Sequence, residues 1–201
     1  MNSTGKSNDD LIRQASPDPT LIQTLIKTLS DKTTARLKAA KQLQLISRAK
    51  PSLLYPHFEV FVNLLDSNSS VLLWNGIIIL SYLVSVDIDH KFDNIFDKYY
   101  GHLWDGKLVT ASNIFANSGR IARHRPDLAD RISDELLKVD AIPLPTTECR
   151  EVARSQVLVS LFEYLDMLKN NQLVKDFIIR CTSSHRPAAK IRAEALLNGM
   201  H

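Results

Sequence analysis

Two short stretches constrain this chain more than anything else in it. Ile46-Ser47-Arg48-Ala49-Lys50-Pro51-Ser52-Leu53 is answered about 75 positions later by Ile121-Ala122-Arg123-His124-Arg125-Pro126-Asp127-Leu128. Ile, Arg, Pro and Leu recur at the same offsets, each time where one helical pattern stops and another starts. A recurrence of about twice 37 residues is the spacing of stacked helical hairpins, each burying its apolar face against its neighbours. The expected fold is all-α, a right-handed α–α superhelix (solenoid) of about five helical hairpins. That architecture sets aside most compact enzyme folds and favours binding, without naming a ligand.

Residues 1–16 are polar with little periodicity and are expected to be a disordered tail, leaving 17–201 as a single repeat domain. Pro17 and Pro19 precede a first helix with Leu21, Leu25, Ile26 and Leu29 at helical spacing. Asp31 and Thr33-Thr34 offer a turn and an N-cap for a second helix, with Leu37, Ala40, Leu43 and Ile46 on one face. Pro51 suits the first turn of a third helix, whose stripe is Phe58, Phe61, Leu64 and Leu65. A fourth, from about Ser70 to Val84, is apolar nearly all round, as a helix covered on several sides should be. Phe92 to Tyr99 marks a fifth, closed by Gly101 and Asp105-Gly106; Leu108 to Arg123 is a sixth. Pro126 opens a seventh, and Ala141 to Thr147, with two prolines, is a connection. The eighth runs from about Glu148 to Leu168, the ninth follows Asn170-Asn171, and Pro187 starts the last. The second helices of the five pairs begin near Thr34, Ser70, Lys107, Glu148 and Pro187, a period of roughly 36–41 residues.

Leu29-Ser30-Asp31 followed by Ala35-Arg36-Leu37-Lys38-Ala39-Ala40-Lys41-Gln42-Leu43 resembles a HEAT repeat, and Ile191-Arg192-Ala193-Glu194-Ala195-Leu196 repeats part of it. The resemblance extends over about residues 20–198 and implies a HEAT-like (HEAT/armadillo) helical repeat protein. It also implies that the Asp before a second helix and the Arg in its first turn pair between repeats. The middle units depart from this: Leu72 stands where Arg is expected, Leu108-Val109-Thr110 has no Arg, and Arg154 is displaced from Val152. Trp74-Asn75 is faintly similar to the peptide-gripping Trp and Asn of armadillo proteins, at a different spacing.

Catalytic signatures are lacking. There is no GxGxxG, GxxxxGK[ST] or GxSxG, and the six histidines (His57, His90, His102, His124, His185 and His201) form no HxH, HExxH or Cys–His spacing. No metal, cofactor or catalytic residue is therefore assigned. The carboxylates Asp9-Asp10 and Asp93/Asp97 read as ordinary surface charge. The net charge of +3 permits nucleic acid without arguing for it. Cys149 and Cys181 form no CxxC pair and read as reduced thiols of a cytoplasmic protein. The most apolar run, Val71 to Val86, is too short and too polar to span a bilayer, and no secretory leader is apparent.

Two sets of residues are candidates for binding. Asn75, Asn113 and Gln156 sit at similar depth in three successive second helices; on a concave wall such amides would meet an extended peptide backbone with both donor and acceptor. Their alternative role is to satisfy turns within the stack. Arg48, Lys50, Arg120, Arg123 and Arg125, with His124, form a basic edge at helix C-termini, where cations complement the helix dipole or meet phosphates. Trp74 is expected in the core, and Trp104, before Asp105, partly exposed. The HEAT-like alkylpurine DNA glycosylases use Trp and Asp in a DNA-binding cleft with Arg after the key Trp; here Trp74 precedes Asn75-Gly76-Ile77, so no catalytic residue carries over.

The reading favoured by these observations is a non-enzymatic, monomeric binding or scaffold module that holds a protein or peptide on a concave face, with no membrane partner. The alternatives are a nucleic-acid-binding HEAT-like protein or diverged DNA glycosylase, and a structural subunit that stacks through an exposed end.

Overall fold

A computed structural model describes residues 18–168 and 171–199. The tail expected over residues 1–16, the Asp9-Asp10 pair and His201 lie outside the described residues. Among those described there are ten α-helices and no strand. None of the helices is long and apolar enough to cross a membrane. The chain divides into two compact units, Met1–Asp93 and Asn94–His201.

The first unit holds α1 (Pro19–Thr28), α2 (Ala35–Ala49), α3 (Phe58–Leu65) and α4 (Ser70–Leu83). Asp18 caps α1 by accepting the Thr20 N–H at 3.0 Å, and Pro19 takes the first turn, where a missing N–H costs nothing. The second helix buries Ala39, Ala40, Leu43 and Ile46, and packs against α1 and α4. Leu37, read as inward, is only half-buried, and Ala39 takes the buried place beside Ala40. Gly76 lets α4 approach α3: an added Cβ there would lie 2.9 Å from Leu64 Cβ and 3.2 Å from Phe61 O. Trp74, expected in the core, is half-buried.

The repeated eight-residue sequence is a repeated turn. Lys50 and Arg125 each close their helix with an N–H to the Ile four residues back, at 2.7 Å to Ile46 O and 2.9 Å to Ile121 O. Their backbones match, φ −147°, ψ 71° and φ −130°, ψ 73°. A following proline bars the helical region to the residue before it, so both chains leave their helix at the same point. Pro51–Leu53 and Pro126–Leu128 then form matching 3-10 turns. The two copies part after that. In the first, Pro56 sits in another 3-10 turn, Tyr55–His57, and α3 begins only at Phe58. With no second proline, the other copy enters α7 (Ala129–Leu137) at once.

Lys91–Gly101 forms α5. Asp87 holds its start: the carboxylate, only 6% exposed, accepts the Lys91 and Phe92 N–H groups, both at 2.9 Å, and the Tyr55 hydroxyl at 2.6 Å. A 3-10 turn, His102–Asp105, follows the helix, and Gly106 supplies the left-handed residue at φ 70° that turns the chain.

The second unit continues with α6 (Leu108–His124), α7, α8 (Thr147–Phe162), α9 (Gln172–Cys181) and α10 (Pro187–Gly199). Here α6 packs on α8 and α8 on α10, a row of three; α7 packs on α6 and α8, and α9 on α7 and α10. Thr146 and Asn171 cap α8 and α9 through side-chain oxygens. The connection after α7 is pinned by Ile142 and Leu144, both buried. Expected to reach Leu168, α8 stops at Phe162, because Tyr164 leaves the helical region at φ −135° and turns inward. Its buried hydroxyl meets Ser133 Oγ of α7 at 3.0 Å.

Candidate functional site

Gly119 sets the spacing of the α6–α8–α10 row at its first contact. A Cβ at that position would lie 2.6 Å from Ser160 O and 2.8 Å from Glu163 Cβ, so the two helices approach as closely as a glycine permits. Between α8 and α10 the fit is looser, leaving a groove of about 220 Å³ lined by Leu158, Val159, Phe162, Arg192, Ala195 and Leu196. Phe162, at the end of α8, is 64% exposed, and Ile191 on α10 is 65% exposed. An exposed aromatic side chain lining an apolar groove is a mark of a contact surface. Arg192 donates from Nη1 to Ser155 Oγ of α8 at 2.6 Å, bridging the two helices.

The amide positions divide between the units. Asn75, in the first unit, is 7% exposed; its Nδ2 donates to Val71 O at 2.7 Å and its Oδ1 is buried without a hydrogen-bond partner. Asn113 on α6 is half-buried and donates to Val109 O at 2.9 Å. Each amide gives one N–H to its own helix; Asn75 is buried, whereas half-buried Asn113 keeps its second N–H and its Oδ1 without a bond to described residues. Gln156 on α8 is half-buried and makes no side-chain hydrogen bond to described residues.

The basic positions also separate. Arg48 is exposed and Lys50 half-buried on the first unit. On the second, Arg123 is exposed at the end of α6, and Arg120 donates to Asn117 Oδ1 at 2.6 Å. Desolvation, then the charges of Arg123 and Arg120, hold the His124 imidazole below its ordinary value. Arg125 does not share this edge. It is 5% exposed and clamps Asp127 with two bonds, Nε–Oδ1 at 2.9 Å and Nη2–Oδ2 at 2.6 Å. A planar guanidinium matches a carboxylate in this two-point fashion, and here the pair closes the turn after α6. Trp104, in the His102–Asp105 turn, is 48% exposed as expected, and Asp105 Oδ2 lies 2.9 Å from His102 Nδ1.

A second, polar cleft of about 200 Å³ lies among the start of α8, the Asp140 turn and the α9–α10 turn. Arg154 donates to Asp140 Oδ1 at 2.7 Å and to Glu151, whose other oxygen accepts from Ser184 Oγ. Arg154, Asp140 and Glu151 each meet a partner, so the cluster ties three segments together. Burial pushes the Cys181 thiol beside it up to about 11, which keeps it protonated and a poor nucleophile at neutral pH. Among the described residues no group of three or more His, Cys, Asp or Glu is placed to hold a metal ion.

Sequence reading missed the groove because its walls lie far apart in the chain. Arg192 stood out only as part of a repeat signature, and nothing in one dimension marked Phe162 as solvent-facing. Compared with known proteins, the chain matches no protein-family model, no curated protein and no solved structure.

Proposed function

We propose that this chain is a non-enzymatic binding module, a HEAT-like stack of helical hairpins that holds a protein segment or peptide against the α6–α8–α10 row of its second unit. The observation that carries the reading is the apolar groove between α8 and α10, with Phe162 of its lining exposed. Gln156, which makes no side-chain hydrogen bond to described residues, adds a polar contact to a peptide backbone on the same helix as the groove's Phe162. The module acts by surface complementarity and uses no cofactor. Two free thiols, Cys149 and Cys181, suit a reducing, cytoplasmic setting.

Affinity capture from lysate, with and without nuclease and at low and high salt, tests the reading. A specific protein should survive both treatments, and Phe162→Ala with Gln156→Ala should release it while helicity stays intact. Arg120 and Arg123 at the end of α6 favour the nucleic-acid alternative. Recovery of nuclease-sensitive, salt-labile material alone, abolished by Arg120→Glu with Arg123→Glu, would replace the first reading with that one.

A further inference from the structure

The groove between α8 and α10 is apolar except for one guanidinium. Arg192 makes a single hydrogen bond among the described residues, to Ser155 Oγ, and no described carboxylate pairs with it. Most of the five N–H donors of an arginine therefore stay available at the groove. The Ser155 bond fixes the head, which lowers the ordering cost of a further contact. Glu151, one turn before Ser155 on α8, is bonded to Arg154 and Ser184. Glu194 lies two residues past Arg192, about 200° around the helix, and Glu163 packs toward α6, its Cδ 3.0 Å from the Cβ position of Gly119.

We propose that the groove selects a peptide segment carrying a bulky apolar side chain and a carboxylate. The apolar side chain seats against Leu158, Val159, Phe162 and Leu196, while the carboxylate takes Arg192 by two-point hydrogen bonding. This inference rests on the binding-module reading above. The geometry also sets a spacing. Ser155 lies about 5–6 Å along α8 from Leu158 and Val159, and an extended chain presents positions i and i+2 on one face about 7 Å apart. The preferred segment thus has Asp or Glu two positions from Leu, Ile, Phe or Trp. A polynucleotide fits this groove poorly, since successive phosphates need several cations and its lining holds one.

The test is to pan a random peptide display library against the immobilised full chain, then measure Kd for the enriched peptides by fluorescence anisotropy. Wild type should enrich acidic–apolar pairs at that spacing. Arg192→Glu should weaken them by about tenfold or more, and Arg192→Gln by somewhat less. A peptide with Lys replacing its acid should bind Arg192→Glu better than wild type, which an unfolded variant would not do. Enriched peptides without an acid, or insensitive to both Arg192 variants, would overturn this inference and leave the binding-module reading standing. No enrichment at all would overturn both.

Discussion

Replacing Gly119 with alanine probes the close approach of α6 and α8. The new methyl would lie 2.6 Å from Ser160 O and 2.8 Å from Glu163 Cβ, whereas non-bonded carbons prefer about 3.5–4.0 Å. The nearer obstacle is a backbone carbonyl inside a helix, so no side-chain rotation relieves it. The two helices must part by on the order of 1 Å, loosening a row that buries Ile114, Phe115, Val157 and Leu161. Alanine is the better helix former by about 1 kcal/mol, and overpacking costs about 1–3 kcal/mol. Lost packing in the row adds to the second effect, so we expect a net loss of about 1–2 kcal/mol. For a chain of this length that lowers Tm by roughly 2–8 °C. Gly101→Ala is the internal control, because a Cβ at the end of α5 meets nothing within 4 Å; it should be neutral or stabilising by up to about 1 kcal/mol. Thermal and urea unfolding followed by circular dichroism reads both. If Gly119→Ala matches or exceeds wild type, the close approach is wrong.

Asp87→Ala removes the acceptor of two helix-start N–H groups and of the Tyr55 hydroxyl; urea unfolding should show a loss of about 2–3 kcal/mol, and Tyr55→Phe about 1 kcal/mol. Burial, aided at Tyr55 by Asp87, raises the phenols of Tyr55, Tyr99, Tyr100 and Tyr164 above their ordinary 10.0. The unfolded chain releases those protons near pH 10 while the native chain keeps them, so stability is intact below that pH and falls as pH rises through it. Cys181 brings the onset down to about pH 9; a urea midpoint that rises between pH 9 and 11 would contradict the burial of these groups. Alkylation should label the half-buried Cys149 well before Cys181, which is 3% exposed; mass spectrometry of the native protein reads the order.

Much of the helical plan was legible in one dimension. Apolar spacing and caps identify ten helices, and the matching Ile–Arg–Pro–Leu sequences mark two turns with the same backbone path, because a proline restricts the residue before it whatever surrounds it. Local rules also explain most boundaries, including the delayed start of α3 after the Pro56 turn. Tertiary packing decided the rest. Whether Arg125 faces solvent or clamps Asp127 depends on how the turn folds back, and its charge alone carries no sign of that. Asn75 and Asn113 are polar residues on second helices, yet their donors turn to carbonyls four residues back, a local bond open to any helical asparagine. Gly119 looks like a weak point in a helix until α8 is placed against it. The groove itself joins Ser155, Leu158 and Phe162 to residues some 35 positions further on, and only the spacing of packed helices makes them neighbours. Local sequence determines which segments become helices and where they turn; which faces they leave open is set by contacts between residues distant along the chain.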